Sequence, residues 1–350
     1  MAEQGKQKSN VNLNLQVGEL VEVLGDSTSG NYTKGNTGII TKQKDRNGYP
    51  VVKWDHQPSD TKGCKSDLRR RRTVSILHLS DTHNLHDTIS TMPSADVLIH
   101  TGDWTENGTD DEHDKFNAWL GKIRANYKEI IVISGNHEWP TKEMTANPGM
   151  LRNACDPRTY LRRLLTNATV LEHELVTVCG LKIFGSSWVP WVGGANPDEE
   201  SSKKTDALKA ARAAGKLVGT PSCQPRFSEI QECDVLMTHG PPRGLLSKDW
   251  GSSQKLRDVI EATPPLVHCF GHLHEQRGFW QRNESGWGGC IEYQGEGAGT
   301  WQPPKFPVNS RMQLISCNAM KHQTREIIEG GGRLIYAVPE AGINRWRFVF

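Results

Sequence analysis

Residues 74–83 read VSILHLSDTH, six strand-forming and mostly apolar residues followed by Ser80, Asp81, Thr82 and His83. The same arrangement recurs at 97–103 (VLIHTGD), 130–138 (IIVISGNHE), 235–242 (VLMTHGPP) and 266–274 (LVHCFGHLH). Short apolar runs of this kind, alternating with helical stretches, predict an α/β layered domain. The strands are read at 74–79, 97–100, 130–133, 182–184, 235–237 and 266–270, and the helices at 110–127, 156–165, 205–217 and 252–261. Asp110 and Asp156 are expected as N-caps, with Pro157 at a first helical position.

Five strands thus end in metal-binding residue types. Ligands of open α/β sheets bind beyond the carboxyl ends of the strands, so these side chains are expected to converge on one site. In extended chain, residues i and i+2 point the same way, which pairs Asp81 with His83 and His272 with His274. Gly102, Gly135, Gly240 and Gly271 stand beside the ligand candidates, where the backbone must turn tightly or pass close. An isolated Asp-x-His is expected about once by chance, but Gly-Asn-His-Glu and Gly-His-Leu-His are far rarer. All five in order, each after an apolar strand, form a specific signal. Mixed Asp, Asn and His ligands without thiolates suit Mn, Fe or Zn. Two such ions about 3.5–4 Å apart can bridge a hydroxide, lower its pKa and clamp a phosphate for in-line attack.

On these motifs, residues 73–318 resemble the calcineurin-like metallophosphoesterases. "THGPP", "GSSWVPW" and "GHLHE" are similar to the metallophosphoesterase-domain-containing branch, which is like class III cyclic-nucleotide phosphodiesterases. The resemblance implies a two-sheet β-sandwich flanked by helices. It assigns one ion to Asp81, His83, Asp103 and His274, and the other to Asp103, Asn136, His239 and His272, with Asp103 bridging. His137 would protonate the leaving group or steady the transition state. Protein serine/threonine phosphatases of the superfamily continue Gly-Asp with an aromatic residue and V-D-R-G. This chain reads Gly102-Asp103-Trp104-Thr105-Glu106 and departs from them.

Other residues read less sharply. Trp188 and Trp191 are candidates for stacking on a nucleobase, with packing as the alternative. Arg243 is a candidate partner of a substrate phosphate. His78, His100 and His268 lie inside apolar strands and read as satisfied core residues. His86 reads as a solvated loop residue, with support of a ligand as the alternative.

The rest of the chain sets bounds. Of the 350 residues, 35% are hydrophobic and 23% charged, which suits a sizeable core. The formal net charge of +2 gives no general argument for nucleic acid. It hides a basic start, however: residues 1–72 hold 13 basic and 8 acidic side chains, the remainder 29 and 32. Residues 1–10 read as a disordered tail. Residues 11–60, with strand-like pieces at 20–24, 37–42 and 50–54, resemble a small all-β SH3-like or KOW-type barrel, and no partner for it follows from the sequence. Residues 61–72, ending in Arg69 to Arg72, read as a basic linker, and 73–350 as the catalytic domain. Segments 193–225 and 285–307 read as insertions. The polar start carries no secretory pattern and no run is long enough to span a membrane. With scattered cysteines, these features point to the cytosol, or to the nucleus if the arginine run is an address. The expected activity is hydrolysis of a phosphodiester, with cyclic nucleotides or nucleotide derivatives as candidate substrates. The alternatives are a nuclease or RNA-associated phosphoesterase gripping the polymer with its basic start, and an interaction module with a vestigial metal site.

Overall fold

The structure is a computed structural model. It describes residues 20–23, 37–42, 51–54, 68–70, 73–138, 157–187, 227–248, 252–283, 286–292, 304, 306, 310–320, 332–339 and 346–349. Two compact units are present, Met1–Thr73 with Val338–Arg345, and Val74–Ala337 with Trp346–Phe350.

In the first unit, β1 (Leu20–Val23), β2 (Thr37–Lys42), β3 (Val51–Trp54) and β4 (Leu68–Arg70) form an antiparallel sheet in the order β3-β2-β1-β4. Three strands fall where turn-bounded β-branched runs placed them. The fourth, Leu68–Arg70, lies in the stretch read as a connector. It pairs Leu68 with Val23 along the otherwise open edge of β1. Satisfying an edge strand's backbone groups is a tertiary demand that local composition does not display.

The remaining strands form two sheets, nearly all of them in the second unit. One comprises β5 (Val74–Leu79), β6 (Val97–His100), β7 (Glu129–Val132), β8 (Thr169–Val170), β16 (Arg333–Pro339) and β17 (Trp346–Val349), ordered β17-β16-β5-β6-β7-β8. The other comprises β9 (Glu174–Val178), β10 (Leu181–Ser186), β11 (Val235–Thr238), β12 (Val267–Phe270), β13 (Gly278–Asn283), β14 (Gly286–Ile291) and β15 (Leu314–Cys317), ordered β14-β13-β15-β12-β11-β10-β9. Both sheets are parallel at the centre, β5–β6–β7 in one and β10–β11–β12 in the other. All five motif-bearing ends therefore lie at carboxyl ends of central parallel strands.

Side-chain alternation along these strands builds three apolar layers. Ile76, Val97, Ile99 and Ile131 meet Ile183, Val235, Met237 and Val267 between the sheets. Leu77, Leu98 and Ile130 pack outward under α1 (Asp110–Ile123) and α2 (Pro157–Leu164) through Phe116, Leu120 and Leu161. Leu236, Phe270 and Ile315 pack outward under α3 (Gln254–Ala262) through Leu256 and Ile260. The observed architecture is the two-sheet sandwich flanked by helices that the sequence implied.

The N-cap of α1 is Thr109 and not Asp110. Its side chain accepts from the Glu112 amide while Glu112 accepts from the Thr109 amide, a capping box that satisfies two donors where Asp110 would satisfy one. The helix read at 205–217 and the segment 193–225 lie outside the described residues. Part of the segment read as an insertion at 285–307 is β14, antiparallel to β13. Its glycines hide it, because Gly has low strand propensity. At Gly289, however, an added Cβ would strike the Phe279 carbonyl, so glycine is what the close pairing needs.

Candidate functional site

The chain does not leave these strands in extended form. Asp81 has φ 53°, His83 φ 40°, Asp103 φ 58° and His272 φ 68°. Four ligand candidates thus occupy the left-handed region that non-glycine residues avoid, at a cost of the order of 1–3 kcal/mol each. The expectation that i and i+2 converge because the strand runs on is corrected here. They converge because each loop coils sharply at the strand end, held by backbone bonds such as Asp81 N–H to Gly102 O (2.9 Å) and His83 N–H to Asp103 O (3.0 Å). Strain clustered in this way marks a site that the surrounding structure must over-determine.

Two groups of ligand atoms result. Asp81, His83 and His274 offer atoms within 4.8 Å of one another, and so do Asp103, His239 and His272. The His274 Nε2 lies 3.2 Å from Asp81 Oδ1 and 3.3 Å from His83 Nε2. Asp103 joins the groups: its Oδ2 is 3.2 Å from His239 Nε2 and 3.7 Å from His83 Nε2. The Asn136 Oδ1 is 3.2 Å from the same His239 nitrogen. All seven sequence-predicted ligands are brought together. His137 lies beside them: its amide donates to Asp103 Oδ1 (2.9 Å) and its ring meets that of His83 edge-on at 4.7 Å. Its Nδ1 donates to the Glu106 carbonyl (2.6 Å), which leaves Nε2 as the nitrogen available to a reacting group.

Whether these residues fit cations follows from where lone pairs point. His239 Nδ1 is 2.7 Å from the Thr101 carbonyl, so that nitrogen carries the proton. Its Nε2 then faces the oxygens of Asp103 and Asn136, so a positive charge belongs between them, a proton in the metal-free chain or a cation in its place. Burial alone would lower the pKa of His239, but the adjoining Asp103 carboxylate prevails and raises it to about 10. The His272 Nε2 is buried without a hydrogen-bond partner among the described residues. Burial, then the His239 charge, pushes its pKa down to about 3, leaving a neutral imidazole with a free lone pair. Burial would raise the Asp103 pKa, yet the His239 and His137 imidazoles hold it well below the usual carboxylate range. Backbone closeness fits as well. A Cβ on Gly135 would run into Asp103 Oδ1, and one on Gly271 into Asp81 Oδ2. The donor set therefore suits two divalent cations, and the residues that would hold them are the seven named.

Two acidic residues were missed by the sequence reading. Glu138 is fully buried, and its carboxylate accepts from the amides of Asp103 (2.8 Å), Gly135 (2.5 Å) and Thr105 (3.1 Å). It ties the Gly102-Asp103 loop to the Gly135-Asn136 loop, and its signal was its place at the end of Gly-Asn-His-Glu. Glu106 places Oε2 3.2 Å from His83 Nδ1, on the side of the ring opposite Asp103. A carboxylate there fixes the tautomer that turns Nε2 toward the centre. Glu106, His83 and His137 also form a third group within 4.8 Å. Arg243 lies on the loop after His239, half-buried, with its amide bonded to Ser253 O (2.9 Å). Trp188 and Trp191 lie outside the described residues. His86 is neither a solvated nor a supporting residue: it is buried between Phe116 and Trp119, each at 5.3 Å. The apolar wall of α1, invisible in the local sequence, decides that.

A helix-flanked two-sheet sandwich that gathers two carboxylate–imidazole groups around one shared aspartate defines a candidate two-cation centre of the phosphoesterase kind. Residues 74–276 match the family profile described as calcineurin-like phosphoesterase, and the chain belongs to that family. It is 36% identical over 219 residues to metallophosphoesterase domain-containing protein 1 of Homo sapiens, and equally to that of Mus musculus, covering 57% of this chain and 60% of each relative. A UPF0046 protein of Caenorhabditis elegans is 34% identical over 221 residues, covering 59% of this chain and 65% of its own length. The chain thus spans about 60% of the length of the first relatives. A solved archaeal phosphodiesterase has 12% identity and a TM-score of 0.26 over 79% of this chain and 98% of its own, too slight a likeness to argue from. No helix among the described residues is long and apolar enough to cross a membrane.

Proposed function

We propose that the protein is a dinuclear-metal phosphodiesterase, acting on phosphodiesters such as cyclic nucleotides or nucleotide derivatives. The observation that carries this reading is Asp103, whose single Oδ2 faces both imidazole groups, at 3.2 Å and 3.7 Å. Bound cations would supply Lewis acidity toward the phosphoryl oxygens and a nucleophile at neutral pH. The protein's own contributions follow from its geometry. Asp81, Asp103 and the five other ligands fix the charge. His137, with Nδ1 pinned to Glu106 O, presents Nε2 to the leaving-group oxygen and donates a proton there. Glu138 keeps two ligand loops in register. Mn²⁺, Fe or Zn²⁺ suits the donor set.

The test is hydrolysis of bis- against mono-nitrophenyl phosphate by Mn²⁺-loaded protein, then of 2′,3′- and 3′,5′-cyclic nucleotides. The diester is expected to be the faster aryl substrate. A strong preference for the monoester would overturn the diester reading, and an inactive protein that binds two ions would overturn the catalytic one.

A further inference from the structure

Three histidines inside the strands take no part in the chemistry described so far: His78 on β5, His100 on β6 and His268 on β12. All are fully buried among apolar side chains, and burial is the leading cause holding each well below its ordinary pKa, so they are neutral. A buried neutral imidazole needs its one N–H satisfied. In each case the partner is a threonine hydroxyl, and each threonine lies beside a ligand. His78 Nε2 is 3.0 Å from Thr101 Oγ1, two residues before Asp103. His100 Nε2 is 3.1 Å from Thr82 Oγ1, between Asp81 and His83. His268 Nε2 is 2.8 Å from Thr238 Oγ1, immediately before His239.

The direction of these bonds follows from their surroundings. The Thr238 hydroxyl donates to Gly240 O (2.8 Å), so it accepts from His268, whose Nε2 carries the proton. Gly102 N–H donates to His100 Nδ1 (3.3 Å), so Nε2 is again the donor. The Thr101 hydroxyl donates to Leu79 O (3.5 Å), so it accepts from His78, whose Nε2 is the donor a third time and whose Nδ1 accepts from the Ser316 hydroxyl (3.0 Å). The same tautomer thus recurs in three separate layers. His78 lies between the sheets, His100 under α1 against Phe116 at 5.3 Å, and His268 beside Phe270 at 4.9 Å under α3.

The register shows why a histidine is needed. β5 pairs His78 with Ile99, and β12 pairs His268 with Leu236. In both sheets the bonded threonine is two residues beyond the register partner, on the same face. The imidazole is long enough to span that diagonal, with Nε2 within 3.0 Å of Thr101 Oγ1 from His78 and 2.8 Å of Thr238 Oγ1 from His268. Each histidine sits where the regular ladder is ending and braces the first residues of the loop that leaves it. Thr101 then carries its brace directly to a ligand, because its carbonyl accepts the His239 Nδ1 proton at 2.7 Å.

We infer that His78, His100 and His268 are positioning residues, a tier of imidazole–threonine pairs one layer below the site that hold the loops of Asp81, Asp103 and His239 where their ligands converge. This rests on the two-cation reading of the site. The measurement is calorimetric titration of the full-length apo-protein with Mn²⁺ alone, paired with thermal melting of the same samples. Thr238→Val keeps the volume of the side chain and removes the hydroxyl; it is expected to weaken Mn²⁺ binding by about 10–100-fold. Thr238→Ser should bind like the parent, and His268→Gln should bind more tightly than His268→Leu, because a glutamine amide places a donor near the Nε2 position. The double variant Thr238→Val with His268→Leu should bind no more weakly than the weaker single, since both break one bond. Variants that melt earlier yet bind Mn²⁺ like the parent would overturn the proposal and reduce the pairs to core packing. If His268→Leu does not fold, Thr238→Val and Thr82→Val decide the question alone. A parent protein that takes up no Mn²⁺ would instead overturn the cation reading itself, a result the parent titration separates from the first.

Discussion

A single methyl group at position 135 should dismantle the centre while leaving the fold standing. A Cβ on Gly135 would lie 2.7 Å from His239 Cε1 and 2.8 Å from its Nδ1, and nearer still to Asp103 Oδ1. Ordinary contact begins at 3.4 Å, so the imidazole must retreat by about 0.6 Å or more, or the loop must lift by as much. His239 has no room to retreat, being fully buried and tethered at 2.7 Å to Thr101 O. Metal–ligand distances hold to about ±0.2 Å, so a shift of this size takes two ligands out of bonding range at once. The stability cost of overpacking is only about 1–3 kcal/mol, a few degrees to about ten in melting temperature. Gly135→Ala should therefore stay folded, with Mn²⁺ uptake at the His239 group lost and the rate on an aryl phosphodiester down by about 10²-fold or more. Gly288→Ala, where an added Cβ meets only Asn283 Nδ2 at 3.5 Å, is the control and should change neither. Calorimetry with Mn²⁺, melting and the aryl ester assay on both variants decide the point. A Gly135→Ala protein with parental stoichiometry and rate would show that the loop yields, and that closeness of backbone to ligand is not what builds the site.

The other predictions separate the roles of neighbouring groups. Asp103→Asn should weaken both ions and remove most activity, whereas His137→Ala should keep the metal and lower kcat by about 10²–10⁴-fold, more on an alkoxide-leaving diester than on a nitrophenyl ester; loss of metal from His137→Ala would make that residue a ligand. The pH dependence of stability should fall on the acid side. Burial against Phe116 and Trp119 lowers the His86 pKa to about 4, so between about 6.5 and 4 the unfolded chain binds a proton the folded one refuses, and stability drops as pH falls, by at most about 3 kcal/mol from this group. Melting of the parent between pH 7 and 4.5 should show the decline and His86→Leu should make it shallower, the buried His78, His100 and His268 keeping the remainder; equal slopes would refute the assignment. A chain beginning at residue 73 is expected to turn over the aryl phosphodiester at a similar rate, and a folded but inactive product would show that the first unit contributes to the site.

What the sequence settled by itself is the order of chemistry along the chain. Apolar strands of four to six residues ending in Asp, Asn and His can be read locally, because side-chain period and residue type are local properties. They named the fold class and the seven residues that come together. What it left open needed partners distant in sequence. Leu68–Arg70 became a strand because β1 offered an open edge, and the glycine-rich β14 because β13 lies against it. His86 became a core residue because α1 covers it, and Glu138 a brace because three amides from two loops converge on it. The left-handed turns at Asp81, His83, Asp103 and His272 lie furthest from local reading. Asp and His enter that region more readily than most residues, but it remains disfavoured for them, and the packed sheets with the backbone bonds between the loops hold the chain there.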